Sequence, residues 1–512
     1  MKPYVLAIDQ GTSATKAILV DRERNIVSHG SATVALSAPR PGWVEQSAEE
    51  IWESCGTAVA SCLDGHDPSD VEAVGLSTQR ESLLLWDRAT GRPLGPMLSW
   101  LDRRTAGDLR QDRRTSGELS PDAAGMVKEV SGLPLDPMFS APKARRLLDE
   151  HDPDRRRAKA GELCLGTVDS WLLYELGGDH LIEVGNAART QLMDVRERAW
   201  DKRLTQLFDV PHEVLPVIVS SQGPFPGTRG LGPLPDGIPV TAVLGDSHAA
   251  LFAHCGWTEG TVKATYGTGS SVMAVTSPSA RVPEGMCLTV AWDAGEPAWA
   301  VEGNIRSTGA TLTWLAGVLG LTPDDLAGRA AESSEGVVIV PAFSGLGAPW
   351  WDDEAVGLIS GVTFGTRAEH LARAALESIA FQIEDVLSAV ERDSAPITTL
   401  LADGGPTANE TLMQLQADTS GRTVERSPDR DLSALGAAYL AGLTHGLWSR
   451  GDLENLRRAR ETYVPRTSEA ERESRRSHWH DAVSRARHQG AEDRAHRQET
   501  ADRTRHQGGA PA

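Results

Sequence analysis

The sequence predicts an α/β protein built as two domains of similar topology with a cleft between them, and three observations carry that expectation. Val5-Leu6-Ala7-Ile8 and Ala17-Ile18-Leu19-Val20, joined through a Gly-Thr turn, read as a hairpin of two strands apolar enough for a covered sheet. Val262-Lys263-Ala264-Thr265-Tyr266 and residues 271–275 flank another such turn, Gly267-Thr268-Gly269, so one element recurs near the start of each half. Helical spacing follows in both halves, through Ile51, Cys55, Val59 and Cys62 in the first and Leu371, Ala375, Ile379, Ile383, Val386 and Val390 in the second. Strands alternating with such helices give an α/β architecture.

Length and charge bound the rest. At 512 residues with 40% hydrophobic content the chain has room for two or three domains. We divide it at 1–250, 251–465 and 466–512, with the first boundary near residues 250–261. A net charge of −20 repels phosphate backbones, which argues against nucleic acid as a partner. Cys55, Cys62, Cys164, Cys255 and Cys287 are scattered without disulfide or zinc spacing and read as reduced thiols of a cytoplasmic protein. No apolar run reaches the roughly 18 residues of a membrane span, and residues 1–4 lead into a strand rather than a signal peptide. From Arg466 onward there are ten Arg and eight Asp or Glu, leaving −22 on the body. That tail is nearly free of large apolar residues after Val483 and ends in Gly-Gly-Ala-Pro-Ala, so fraying helix or disorder is expected there.

Candidate chemistry gathers at the ends of strands. Asp9 closes the first strand and precedes Gln10-Gly11-Thr12-Ser13-Ala14-Thr15-Lys16, whose backbone N–H groups and hydroxyls can surround a phosphate while the carboxylate holds Mg²⁺. The second Gly-Thr turn and the Gly-rich Asp403-Gly404-Gly405-Pro406-Thr407-Ala408-Asn409 complete the parts needed to hold a nucleoside triphosphate between two lobes. Residues 239–244 form a buried-strand pattern delivering Gly245-Asp246-Ser247-His248 where α/β folds place ligands, although Asp246 as the N-cap of a helix over 248–254 fits equally. His248 reads as structural, because no nucleophile pattern accompanies it. Arg80-Glu81, after the strand 73–77, fits a surface salt bridge or a fork for hydroxyl groups. Trp100 fits core packing or an apolar wall for a sugar chain.

Together these segments resemble the FGGY carbohydrate kinases, which have the actin/Hsp70-type, ribonuclease H-like ATPase fold, and within them most closely the glycerol kinase branch. The resemblance runs over about residues 4–465. Ile8-Asp9-Gln10-Gly11-Thr12-Ser13, Pro41-Gly42-Trp43-Val44-Glu45, Gln79-Arg80-Glu81, Gly166-Thr167-Val168-Asp169, Gly245-Asp246, Tyr266-Gly267-Thr268-Gly269, Pro341-Ala342-Phe343-Ser344-Gly345-Leu346-Gly347-Ala348-Pro349 and Asp403-Gly404-Gly405 carry it in order. The family's second signature is complete: Gly357-Leu358-Ile359-Ser360-Gly361-Val362, seven residues, then His370-Leu371-Ala372-Arg373-Ala374-Ala375-Leu376-Glu377.

The resemblance implies ATP and Mg²⁺ as cofactors, a small polyol or sugar as substrate, and a homo-oligomer, dimer or tetramer. Residue by residue, it makes Asp246 the catalytic base and Asp9 the Mg²⁺-associated carboxylate. Arg80, Glu81 and Trp100 become the polyol-binding wall. Thr12, Ser13 and Lys16 become the first phosphate loop and Thr268 the second, with Gly309, Thr313, Gly405 and Asn409 as further nucleotide contacts. Glycerol kinases would have Arg at 16, Gln at 313, and Tyr, Gln and Phe where this chain has Met138, Ser247 and Ser271; a signature Trp is replaced by Arg146. Trp100-Leu101-Asp102-Arg103-Arg104 also resembles the Trp-x-Asp-x-Arg of pentulose kinases in the same family. A pentulose or tetritol kinase is therefore the alternative to a glycerol kinase, and a non-metabolic actin-like ATPase is the alternative outside the class.

Overall fold

A computed structural model describes residues 3–109, 121–254, 257, 260–392, 396–456 and 459–507. The first hairpin forms as Tyr4–Gln10 against Ala14–Val20, in register from Val5 opposite Val20 to Gln10 opposite Thr15. Ile26–Thr33 continues it antiparallel, while Val71–Thr78 and Val240–Gly245 add parallel strands on the other side, giving a five-stranded sheet. Its central strand is apolar without alternation because both faces are covered. Leu6 and Ile8 pack with Ile51, Cys55 and Val59 of the helix Ala48–Cys62, and Val5 and Ala7 pack with Leu435 and Ala438 of the helix Leu432–His445.

The second half repeats the plan. Val262–Tyr266 pairs antiparallel with Ser270–Thr276, then Pro297–Ile305 and Cys287–Asp293 follow, and Thr399–Asp403 and Thr423–Arg426 join parallel on the opposite side. Glu461–Tyr463 closes the seven-stranded sheet at its edge. Hairpin, third antiparallel strand and two parallel strands thus recur in the same order in both domains, as the paired Gly-Thr turns predict. The helix Ala368–Glu391 buries Ala372, Ala375, Leu376, Ile379, Ile383, Val386 and Val390 beside Val262, Ala264 and Val272. Off the first domain, a four-stranded sheet of Glu45–Gln46, Met97–Leu98, Leu83–Asp87 and Leu163–Thr167 carries the connection through Arg80 and Glu81 and the turn that presents Trp100.

The expected boundary near 250–261 falls partly on residues 255–256 and 258–259, which lie outside the described residues together with Cys255 and the last five residues of the tail. Cys55, Cys62, Cys164 and Cys287 are free and buried.

The tail corrects the compositional expectation. Glu469–Gln507 is helical, and its first turns dock on the second domain instead of fraying. Trp479, Ala482, Val483 and Ala486 are fully buried in a cluster with Val340, Ala342, Leu346, Ala355 and Phe381. The Trp479 ring stacks on Phe381 with centroids 5.5 Å apart, and its Nε1 donates to Asp385 Oδ2 at 2.8 Å. These four residues sit at i, i+3, i+4 and i+7, a short apolar stripe that bulk composition hides.

Candidate active site

The two Gly-Thr turns and the C-terminal ends of the parallel strands Val71–Thr78 and Val240–Gly245 open onto one cavity of about 300 Å³. Thr12 and Ser13 line it from the first turn and Gly267, Thr268 and Gly269 from the second. Arg80, Glu81 and Trp100 also reach it, as do Asp246, Ser247, Met138 and Ser271. Residues read as phosphate loop, base and substrate wall therefore share one space.

Asp246 opens the helix Asp246–Ala253, and Gly245, not Asp246, occupies the cap position, so the N-cap reading of Asp246 is not realised. Asp246 Oδ1 accepts the Ser247 backbone N–H at 2.6 Å and lies 3.4 Å from Arg80 Nε. Burial raises the Asp246 pKa, against the pull of Arg80, which suits a group that must take up a proton. Gly245 is required beside it, because a Cβ there would stand 2.6 Å from Arg80 Cδ. Arg80 is not a surface salt bridge: it is 5% exposed and donates Nη1 and Nη2 to Glu302 at 3.0 and 2.7 Å. Glu81 holds a left-handed backbone at φ 62°, a strained setting for a residue with a Cβ, and its carboxylate accepts Arg189 Nε at 2.6 Å.

Glu302 and Arg189 were not foreseen, yet they organise the floor. Glu302 is fully buried and accepts from Arg80, from Ser271 Oγ at 2.7 Å and from Asn304 Nδ2 at 2.9 Å, with Arg189 Nη1 at 2.8 Å. Burial opposes its charge, but Arg189 and Arg80 hold the carboxyl well below the usual range. A carboxylate inside the apolar strand Pro297–Ile305 was the signal that could have found it, since buried charge is kept only where it is paired. Asn304 and Arg306, further along the same segment, also line the cavity. His248 is structural as expected: its Nε2 lies 3.2 Å from Arg80 Nη1, and burial followed by the Arg80 charge keeps it neutral.

The other predicted residues lie around the cavity rather than in its lining. Asp9 accepts Ser77 Oγ at 2.7 Å, and burial lifts its pKa to about 6. Lys16 Nζ is bound to Asp431 Oδ1 at 2.9 Å. Gly309 donates its N–H to the Gly267 carbonyl at 2.9 Å, and a Cβ on it would stand 2.7 Å from that oxygen and 3.5 Å from Pro406, so the Gly267 turn and the Pro406 loop converge there. Thr313 Oγ1 donates to the Gly309 carbonyl, Gly405 faces open space, and Asn409 caps the helix Glu410–Ser420 through Leu412 N. Asp102, of the Trp-x-Asp-x-Arg segment, is fully buried and taken by Arg104 and the Val44 N–H. Arg104 in turn lies 3.8 Å over Trp43, which gives the Pro41–Glu45 segment a structural role.

Comparison with known proteins agrees with this geometry. The model of the FGGY family of carbohydrate kinases, N-terminal domain, matches residues 4–253, and that of its C-terminal domain matches 262–445. A glycerol kinase of Azotobacter vinelandii is 41% identical over 96% of this chain and 99% of its own length. An apulose kinase of Pectobacterium atrosepticum is also 41% identical, over 95% and 98%. The crystal structure of Plasmodium falciparum glycerol kinase with ADP superposes with a TM-score of 0.84 at 30% identity, covering 95% of this chain and 98% of that one. Matched in both domains and along nearly its whole length, the chain belongs to the FGGY family of carbohydrate kinases, and it is an ATP-dependent kinase of a polyol or sugar.

Proposed function

We propose that the acceptor is a four- or five-carbon polyol or ketose rather than glycerol, and that a terminal hydroxyl is phosphorylated in the cytoplasm with Mg²⁺ beside ATP. The observation that carries this is the polarity of the cavity wall. Ser247 and Ser271 set small hydroxyl side chains beside Trp100, Met138 and Asn304, where the family resemblance expects Gln and Phe. An acceptor too short to fill the room they leave forgoes packing contacts and is penalised. The relatives named for glycerol and for apulose are equally identical to this chain, so overall identity does not choose between such acceptors. The test is ADP release across a panel of polyols, ketoses and aldoses, with four- or five-carbon substrates expected to give the highest kcat/KM.

In this reading Asp246 holds the proton released by the attacking hydroxyl, on the oxygen not taken by Ser247 N–H and Arg80. Trp100 supplies the apolar wall, and its Nε1 donates to Thr12 Oγ1 at 2.8 Å, linking that wall to the first phosphate turn. Backbone N–H groups of the two Gly-Thr turns orient the phosphates, so the work of the protein is alignment and charge neutralisation. The residues fit a Mg²⁺ ion. After burial, the neighbouring Asp246 charge raises the Asp9 pKa, a repulsion that a divalent cation relieves, and Mg²⁺ characteristically takes one or two carboxylates plus water and phosphate oxygens. Bound there, the ion would neutralise phosphate charge.

A pH prediction follows from Asp9. Because its pKa is raised, the carboxyl keeps its proton up to about pH 6, and the charged form that attracts Mg²⁺ is lost below that. The Mg²⁺ concentration for half-maximal rate should climb by up to roughly tenfold per pH unit below that point, and Asp9→Ala should flatten this dependence. A Mg²⁺ titration indifferent to pH would leave Asp9 a structural residue. We also infer a homo-oligomer, dimer or tetramer, supported by the exposed apolar side chains Val318, Phe343, Val362 and Phe364 on the second domain.

A further inference from the structure

Four charged side chains, two from each domain, meet beside the Met138 wall. Arg103 and Asp136 come from the first domain, Arg306 and Asp353 from the second. Arg103 Nη2 lies 2.7 Å from Asp353 Oδ1, and Arg306 Nη2 lies 2.5 Å from Asp136 Oδ2, so two ion pairs cross between domains. Within domains, Arg306 Nη1 is 2.7 Å from Asp353 Oδ1 and Arg103 Nη1 is 3.4 Å from Asp136 Oδ1. The signs alternate around a closed ring, and Arg306 Nη1 also donates to the Ser344 carbonyl at 2.7 Å. Exposure runs from 5% for the Asp136 side chain and 11% for Arg306 to 29% for Asp353, so the ring spans from the cavity to solvent.

This ring touches the substrate wall directly. Asp136 gives Oδ2 to Arg306 and uses Oδ1 to accept the backbone N–H of Met138 at 2.8 Å. On the other side of that peptide, the fully buried Lys143 donates to the carbonyls of Pro137, Met138 and Phe139. The main chain at Met138 is thus pinned by a carboxylate before it and an ammonium after it. The carboxylate is fixed by a cation of the opposite domain. Parting the domains removes that cation and leaves Asp136 only the longer ion pair with Arg103 at 3.4 Å, so its carboxylate is less firmly held.

We propose that Arg103, Asp136, Arg306 and Asp353 form an interdomain clasp in which Arg306 is a positioning residue, setting Met138 through Asp136 and sealing the acceptor end of the cleft against water. The role of Met138 rests on the substrate reading above, whereas closure of the ring does not. Interfaces between domains move by default, so a closed ring of charges is what distinguishes this edge of the cleft.

The test compares the native chain with Arg306→Gln, Asp353→Asn, the double variant and Arg306→Lys. The control is Arg450→Gln, which breaks an exposed pair with Glu454. Arg306→Gln should raise KM for the best acceptor by roughly 10- to 100-fold with a smaller change in kcat, and should release more ADP than phosphorylated product as water enters. The double variant should be little worse than either single one, because each opens the same ring, and Arg306→Lys should recover part of the loss. Small-angle scattering of the ligand-free protein should show a larger radius of gyration for Arg306→Gln and for the native chain at high salt. If glycerol proves the best acceptor, the substrate reading fails while KM for glycerol and scattering still score the clasp. The clasp is overturned if KM, the ADP-to-product ratio and the radius of gyration of Arg306→Gln and Asp353→Asn match those of Arg450→Gln.

Discussion

Asp246→Asn is expected to lower turnover by about 10² to 10⁴, the usual scale for losing a general base, while ATP affinity and stability stay close to native. The substitution keeps the side chain's shape and its contacts with Ser247 N–H and Arg80. What it removes is the atom that would hold the hydroxyl proton on the proposed reading, in a site where burial has already raised the proton affinity of the carboxylate. Because the effect is confined to the transition state, kcat and kcat/KM should fall together. Single-turnover measurement of phosphorylated product checks this, and near-native turnover would remove Asp246 from the base role.

The second large effect concerns stability, not chemistry. Trp479→Ala should destabilise the second domain by about 3 to 5 kcal/mol, the range for truncating a buried indole, against total stabilities of about 5 to 15 kcal/mol. Trp479 is 1% exposed, stacks on Phe381 and donates to Asp385, which would be left to His480 at 2.8 Å and Trp350 Nε1 at 3.4 Å. Denaturant unfolding should show a lower midpoint, and truncation after Thr467 should be at least as damaging because it strips Val483 and Ala486 as well. A truncated chain with a native midpoint would place the tail outside the fold.

Some of this was legible in the sequence and some was not, for physical reasons. The two hairpins could be read because covered strands are uniformly apolar and their turns need small residues, and Asp246 could be read because a buried strand ended on it. The docked tail was masked by its surroundings. Four apolar positions among many Arg and Glu barely change composition, although their helical spacing was present. The internal use of Asp102 was not legible either, because sequence does not reveal that Arg104 folds back onto it. Glu302, Arg189 and the Asp136 partner of Arg306 depend on pairing across the domains, between residues more than 100 positions apart. No local pattern encodes such distances, and only the unpaired charge within an apolar strand hinted at them.

On the proposed reading this kinase acts on an acceptor longer than glycerol, because Met138, Ser247 and Ser271 leave the wall smaller and more polar. Ser271 does so with its proton committed to Glu302, so it is left to accept from a substrate hydroxyl. The most direct measurement is kcat/KM for glycerol against four- and five-carbon polyols and ketoses, in the native chain and in a Met138→Tyr, Ser247→Gln, Ser271→Phe variant. The native enzyme should favour a longer acceptor, and the triple variant should shift preference toward glycerol by roughly 10- to 200-fold, the range expected for a filled or missing packing contact. A native enzyme that prefers glycerol over every longer acceptor would overturn the longer-acceptor reading and reduce the three substitutions to neutral repacking.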